Sequence, residues 1–286
     1  MTTQLTRHMT ESDFLQTAEG FLLAHEAAHN LMLSLAAGIA RGAMRFDAAS
    51  YMATVEQGGR VVAAAMRTPP YGLVLSIMPP EAVAPIAADV SAVYPDLPSA
   101  HGPSVVSRAF AEEWQRITGR RHQRALAQRI YQLDQVTPVS GVPGELRRAT
   151  LADRDVALAW SQRFYEETAG TQDPGSDERA LGMLGGQADR ALYLWHDGRP
   201  VSMAGYNGPT PNGMRISYVY TPPELRGRGY ASAATAAVSQ LLLDAGRRFC
   251  FLYTDRSNPT SNRIYQRIGY RPVLDGDEYV FEPRSS

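Results

Sequence analysis

The sequence predicts a mixed α/β (α+β) protein in two halves, each a mixed, mostly antiparallel sheet flanked by helices. Three observations carry that expectation. A helical apolar stripe opens the chain, Gly-containing hairpin turns join short apolar runs in both halves, and a Pro- and Gly-dense stretch separates the halves. With 286 residues, 44% of them apolar, the chain is long enough to bury more than one average core.

In the first half, Phe14, Ala18, Leu22, Met32 and Leu35 fall on one stripe, which predicts a single long helix from Asp13 to about Ala37. Strands at Tyr51 to Val55 and Val61 to Met66 flank Gly58-Gly59, whose positive φ suits a tight hairpin. A strand at Leu73 to Ile77 leads through Pro79-Pro80-Glu81 into a helix ending near Val93. A helix at Val105 to Ile117 and a strand at Leu126 to Leu133 complete this half. Pro138, Gly141, Pro143 and Gly144 make Thr137 to Gly144 the expected linker, giving domains 1-140 and 145-286.

The second half reads as a strand at Leu146 to Ala149, helices at Asp153 to Glu167 and Ser176 to Leu184, and a hairpin around Asp197-Gly198. A strand from Met214 to Thr221 follows. The recurring hairpin, and Thr68-Pro69-Pro70 beside Thr221-Pro222-Pro223, suggest a divergent internal duplication.

Composition narrows the function. Lys+Arg 28 against Asp+Glu 29 gives a net charge of -1, which disfavours a dedicated nucleic-acid or membrane partner. No apolar run approaches the roughly 20 residues of a membrane helix, and a lone Cys250 excludes an internal disulfide and a thiolate metal cluster, so a reducing, cytoplasmic location is expected. The chain contains no lysine, so neither a Schiff base nor a lysine base is available. His25 and His29, an i, i+4 pair without further ligands, read as a helix face rather than a metal site, and no metal is expected.

The segment richest in chemistry runs from Val219-Tyr220-Thr221 through Arg226-Gly227-Arg228-Gly229-Tyr230-Ala231-Ser232 into an Ala-rich helix. A strand, a Gly-rich loop and a helix start direct backbone N–H groups and a positive dipole end at one spot, which suits a phosphate-bearing ligand. Neither a P-loop nor a G-x-G-x-x-G dinucleotide fingerprint is present there. Downstream, the strand Phe249 to Thr254 precedes a helix begun at Asn258-Pro259 and stopped at Gly269.

Arg226-x-x-Gly229-x-Ala231, followed by Asn258, Asn262, Tyr265 and Gly269-Tyr270, resembles the acetyl-CoA signature of the GCN5-related N-acetyltransferase (GNAT) superfamily across roughly residues 145 to 282. The resemblance implies two tandem acyl-CoA N-acyltransferase-like domains, a catalytic second one and a degenerate first one, the latter lacking the signature after Leu75. It implies acetyl-CoA as co-substrate and direct transfer to a primary amine of a small molecule or peptide. Val219, Tyr220 and Thr221 would meet the acyl and pantetheine parts, Arg226, Gly227, Arg228, Gly229, Tyr230, Ala231 and Ser232 the pyrophosphate, and Asn258 or Asn262 the pantetheine arm. Tyr265 would donate a proton to the departing thiolate, and an N–H near Thr221 would hold the oxyanion.

Many relatives place a Glu on the strand before the loop, where this chain reads Ile216-Ser217-Tyr218-Val219. Asp255, Glu166, Glu167 and, through water, Tyr218 stand as alternatives for the base. The missing acid also admits a different reading, a non-catalytic acyl-CoA-binding or regulatory module. Acceptor selection is expected to lie in the loops Glu167 to Asp177 and Gly208 to Gly213.

Overall fold

A computed structural model describes residues 3–169, 175–185 and 187–283. The order is β1 (Thr3–Arg7), α1 (Glu11–Leu23), α2 (Asn30–Ala40), β2 (Tyr51–Gln57), β3 (Arg60–Arg67), β4 (Leu73–Leu75), α3 (Pro80–Val93), β5 (Ser99–Pro103), α4 (Ser104–Thr118) and β6 (His122–Leu133). The same order then repeats as β7 (Glu145–Arg148), α5 (Arg154–Ala169), α6 (Ser176–Leu184), β8 (Ala191–His196), β9 (Pro200–Asn207), β10 (Gly213–Tyr220), α7 (Tyr230–Asp244), β11 (Phe249–Asp255), α8 (Pro259–Ile268) and β12 (Arg271–Phe281).

The chain forms two compact units, Met1–Ile130 with Val273–Ser286, and Tyr131–Pro272. This division differs from the expected linker at Thr137 to Gly144. The strand closing the second repeat serves the sheet of the first: β12 pairs antiparallel with β5, Gly276 to Val280 against Pro103 to Ser99, while β6, which closes the first repeat, belongs to unit 1 up to Ile130 and to unit 2 from Tyr131. Pro and Gly mark a turn, but nothing local to a strand says which edge it will join.

In unit 1 the strands run β1-β2-β3-β4-β5-β12-β6. Period-two alternation divides its core, with Tyr51, Ala53 and Val55 packing with α3 and α4, and Met52, Ala64 and Met66 with α1 and α2. Gly58 and Gly59 adopt the positive φ expected of the β2–β3 turn. The expected single helix from Asp13 to Ala37 is two helices. The buried His29 imidazole donates from Nδ1 to the Leu22 carbonyl and accepts the Ile77 N–H at Nε2, both at 3.0 Å, at the turn between α1 and α2. Apolar spacing continues through the turn, and no Gly or Pro announces it.

In unit 2 the order is β6-β11-β10-β9-β8-β7. One face packs on α7 and α8 through Ile216, Val238, Leu252 and Tyr265; the other packs on α5 and α6 through Leu192, Met203, Tyr218 and Tyr220. Ile216 and Tyr218, two apart on one strand, face opposite layers. The cause is a bulge in β10, where the register shifts between Ser217 and Tyr220 and Tyr218 takes φ 55°.

Candidate active site

The parallel neighbours β10 and β11 pair only over Gly213 to Arg215 and Phe249 to Phe251 among the described residues, although both strands continue to Tyr220 and Asp255. Beyond that point they splay. The bulge turns β10 away from its parallel neighbour, and the main chain past Arg215 is left for something other than that strand.

At the end of β10 the loop enters α7. Gly227 and Gly229 have φ 79° and 84°, and Gly229 is the N-cap residue, so no side chain caps the helix. The first helical bond is Ala233 N–H to Gly229 O, which leaves the N–H groups of Tyr230, Ala231 and Ser232 without helical partners. A Cβ at Gly227 would meet nothing within 4 Å, the first turn holds no acid, and Arg228 is exposed. Donors, dipole and space together fit a phosphate diester. A Cβ at Gly229 would stand 2.9 Å from Val142 Cγ2, so packing as well as φ demands glycine there.

Tyr265 lies on the opposite strand's helix, α8. It is 8% exposed, its ring sits between Tyr131 and Tyr270 at centroid distances of 6.4 and 6.0 Å, and its hydroxyl has no hydrogen-bond partner among the described residues. Burial pushes its pKa up to about 12, so it stays protonated through the neutral range. Such a phenol can donate and does not serve as a base.

The other expected residues sort by what their side chains already hold. Thr221, buried, donates to Ser202 Oγ at 2.8 Å while Ser202 donates to the Tyr220 carbonyl at 3.0 Å. Tyr220 packs against Trp160, and Val219 packs on the α7 layer. Arg226 Nη2 donates to both Glu167 oxygens at 2.7 and 2.8 Å, and its Nε donates to the Thr221 carbonyl at 3.0 Å. Its guanidinium thus ties the end of α5 to the loop instead of pointing freely at an anion. Tyr230 donates to Asp197 Oδ2 at 2.8 Å, which leaves its main-chain N–H as the group facing the loop's open end. Ala231 and Ser232 are half-buried on the first turn.

Asn258 caps α8 through Oδ1 and the Ser261 N–H at 3.0 Å. Asn262 donates to the carbonyls of Asp255 and Asn258 and accepts the Tyr131 hydroxyl at 2.9 Å. The Asp255 carboxylate accepts from Ser257 N–H and Oγ, both at 2.7 Å, an Asx turn. Geometry gives these three the task of joining the end of β11 to α8. Of the remaining acids proposed for the base, Glu166 pairs with Arg163 and Glu167 with Arg226. Tyr218 shares a 3.0 Å hydrogen bond with Tyr165, and burial raises its pKa. Cys250 is buried, its thiol pushed up to about 12 by desolvation.

Tyr131 and Val142 carry no local signal of a role in the site, since they lie upstream of and within the Pro- and Gly-marked stretch and meet Asn262, Tyr265 and Gly229 only through folding. Part of the expected acceptor loop, residues 170–174, lies outside the described residues.

Residues 154–270 match the acetyltransferase (GNAT) family. The matched stretch, within the second half of the chain, is similar to a GNAT domain. The same fold class extends over the whole chain in solved structures: a tandem GNAT protein from the clavulanic acid biosynthesis pathway is 13% identical, with 100% of each chain covered and a TM-score of 0.56. A GCN5-related N-acetyltransferase from Sphaerobacter thermophilus is 16% identical, covering 99% of this chain and 97% of that one at a TM-score of 0.63. A Drosophila protein is 12% identical, covering 98% and 99% at a TM-score of 0.70. No curated protein matches the sequence significantly. The GNAT-like domain and its tandem companion thus share their architecture with acetyltransferases, and no helix among the described residues is long and apolar enough to cross a membrane.

Proposed function

We propose that unit 2 is an acetyl-CoA-dependent N-acetyltransferase acting on a primary amine of a small molecule or peptide. The observation that carries this reading is the splay of β10 from β11, with the uncapped start of α7 at the end of β10 and the free Tyr265 hydroxyl on the helix that follows β11. In this reading the main-chain N–H groups from Gly227 to Ser232 hold the pyrophosphate. Arg226 fastens the loop to α5.

The thioester supplies an activated acyl carbonyl. A main-chain N–H near Thr221 stabilises the oxygen that gains charge as the amine attacks; the carbon–sulfur bond then breaks, Tyr265 transfers its proton to the departing sulfur, the new amide nitrogen gives up its extra proton to water, and Tyr265 is reprotonated from solvent. Asp255, Asn258 and Asn262 position Tyr265 by fixing the start of α8. Asp255, Glu166 and Glu167 are each held by other partners, so the amine reacts in the neutral form that it brings from solution.

Unit 1 is proposed as a degenerate GNAT-like domain without a coenzyme site. Its α3 begins at Pro79-Pro80, which lack N–H groups, and carries Glu81 in the first turn, which repels an anion.

Calorimetric titration of acetyl-CoA into the full-length protein, followed by an amine screen read by free-thiol release, tests the proposal. Micromolar binding with turnover of any amine is the expected outcome. Binding without turnover of any amine supports the non-catalytic reading instead, and no binding overturns both.

A further inference from the structure

Unit 1 contains two arginines that are each only 8% exposed, Arg67 and Arg120, and the structure treats them differently. Arg120 donates to the carbonyls of Glu282, Pro95 and Phe281, so each of its nitrogens has a backbone acceptor. Arg67, on the last position of β3, donates only from Nε, to the Tyr71 carbonyl at 2.8 Å. Its terminal nitrogens have no acceptor and no carboxylate among the described residues. Neither is sealed from solvent, since the fully enclosed unpartnered atoms do not include them.

One face of this cation is covered by an aromatic ring, with further aromatic residues next to its partners. The guanidinium lies 4.2 Å from the centre of the Tyr94 ring, and Tyr51 meets Tyr94 edge-on at 6.0 Å. Tyr71, whose carbonyl holds Nε, is exposed and stands edge-on to Phe46 at 6.3 Å. Asp89 could have neutralised a cation in this region. It is instead held by Arg7 at 2.8 and 2.7 Å and by the Tyr51 hydroxyl at 2.6 Å.

A guanidinium this little exposed normally commits its terminal donors to protein acceptors, as Arg120 does, whereas those of Arg67 are left to solvent or a ligand. Here a planar pair of donors is held rigid by Nε on one side and by ring stacking on the other. That is a fork preset for a two-oxygen acceptor. We propose that Arg67 is the recognition residue of a second ligand site, in unit 1, which takes the carboxylate of an organic acid with an apolar or aromatic body. Carboxylate is favoured over phosphate by the surroundings. One cation is present, and Tyr94 is the C-cap of α3, where the negative end of the helix dipole disfavours a dianion.

The test is calorimetric titration of the full-length protein with sodium benzoate, benzamide and inorganic phosphate at matched ionic strength. Benzoate is expected to saturate and to raise the melting temperature, while benzamide, its neutral counterpart, does neither. Arg67→Lys, which keeps the charge and loses the fork, should weaken benzoate at least tenfold, and Arg67→Gln should abolish binding. Equal binding of benzoate and benzamide, tighter binding of phosphate than of benzoate, or unchanged affinity in a folded Arg67 variant overturns the proposal. If both variants fail to fold, the comparison of benzoate with benzamide on the natural protein still decides it.

Discussion

A tyrosine hydroxyl without a partner is an acid available for work, and that is the position of Tyr265. Tyr265→Phe is expected to lower kcat by about 10²- to 10³-fold while leaving acetyl-CoA affinity within about twofold, as measured by steady-state kinetics beside calorimetry. The pH profile carries a matching sign. With its pKa raised to about 12, Tyr265 remains an acid throughout the assay range, so kcat/KM should rise with pH as the acceptor amine deprotonates and show no alkaline fall below about pH 10. His29 makes the contrasting case. Burial lowers its pKa to about 4, against roughly 6.5 in an unfolded chain, so the folded state takes up its proton less readily. Its neutral-state bonds contribute in full above pH 6.5 and are progressively lost between there and pH 4, by about 3 kcal/mol if the group acts alone. Thermal denaturation at pH 7.5 and pH 5 checks this, and His29→Gln should flatten the difference while lowering stability at both. The sequence singled out both residues, but Tyr265 rested on the spacing of a family signature. For His29, only the bonds to Leu22 and Ile77 show why it is buried.

At the scale of elements, the decisive feature is a helix start without a cap. Ser232 occupies the third position of α7, where a carboxylate strengthens a helix through its dipole and also repels a phosphate. Ser232→Glu should therefore leave the melting temperature unchanged or slightly raised while weakening acetyl-CoA at least tenfold. A parallel loss of stability and binding would point to misfolding instead. Most elements were legible because their signals are local: Gly58-Gly59 and Asp197-Gly198 mark hairpins, and Asn258 and Gly269 bracket α8. The β10 bulge was not. Tyr218 has no glycine-like licence for a φ of 55°, and its backbone is held there by ring packing with Phe164 and the hydrogen bond to Tyr165, from a helix more than fifty residues upstream.

At the scale of the whole chain, repeat and compact unit are not the same thing. Residues 145–286 hold one full repeat but omit Tyr131 and Leu133, which belong to the unit 2 core, and include β12, whose residues from Val273 belong to unit 1. That fragment is expected to be insoluble or to lack a cooperative unfolding transition, checked by calorimetry against the intact chain. A stable, fully active fragment would show that the sharing of closing strands between the units is dispensable. Pro and Gly mark Thr137 to Gly144 as a linker, yet the amide of Thr137 is bound to the Ile268 carbonyl at 2.7 Å and Val142 packs beneath Gly229. A stretch that looks like a spacer is thus part of unit 2.

Residue order was enough to give the class of most elements, to suggest their repeated succession, and to single out the loop from Arg226 to Ser232 as the candidate anion-binding segment, because turns, caps and periodicity act over a few positions. Folding in three dimensions settled which sheet each closing strand joins, the splay of β10 from β11, the pairing of Arg226 with Glu167, and the unmet donors of Arg67. Each depends on groups brought together from distant parts of the chain. Whether a buried polar atom finds a partner is decided only when that packing is complete.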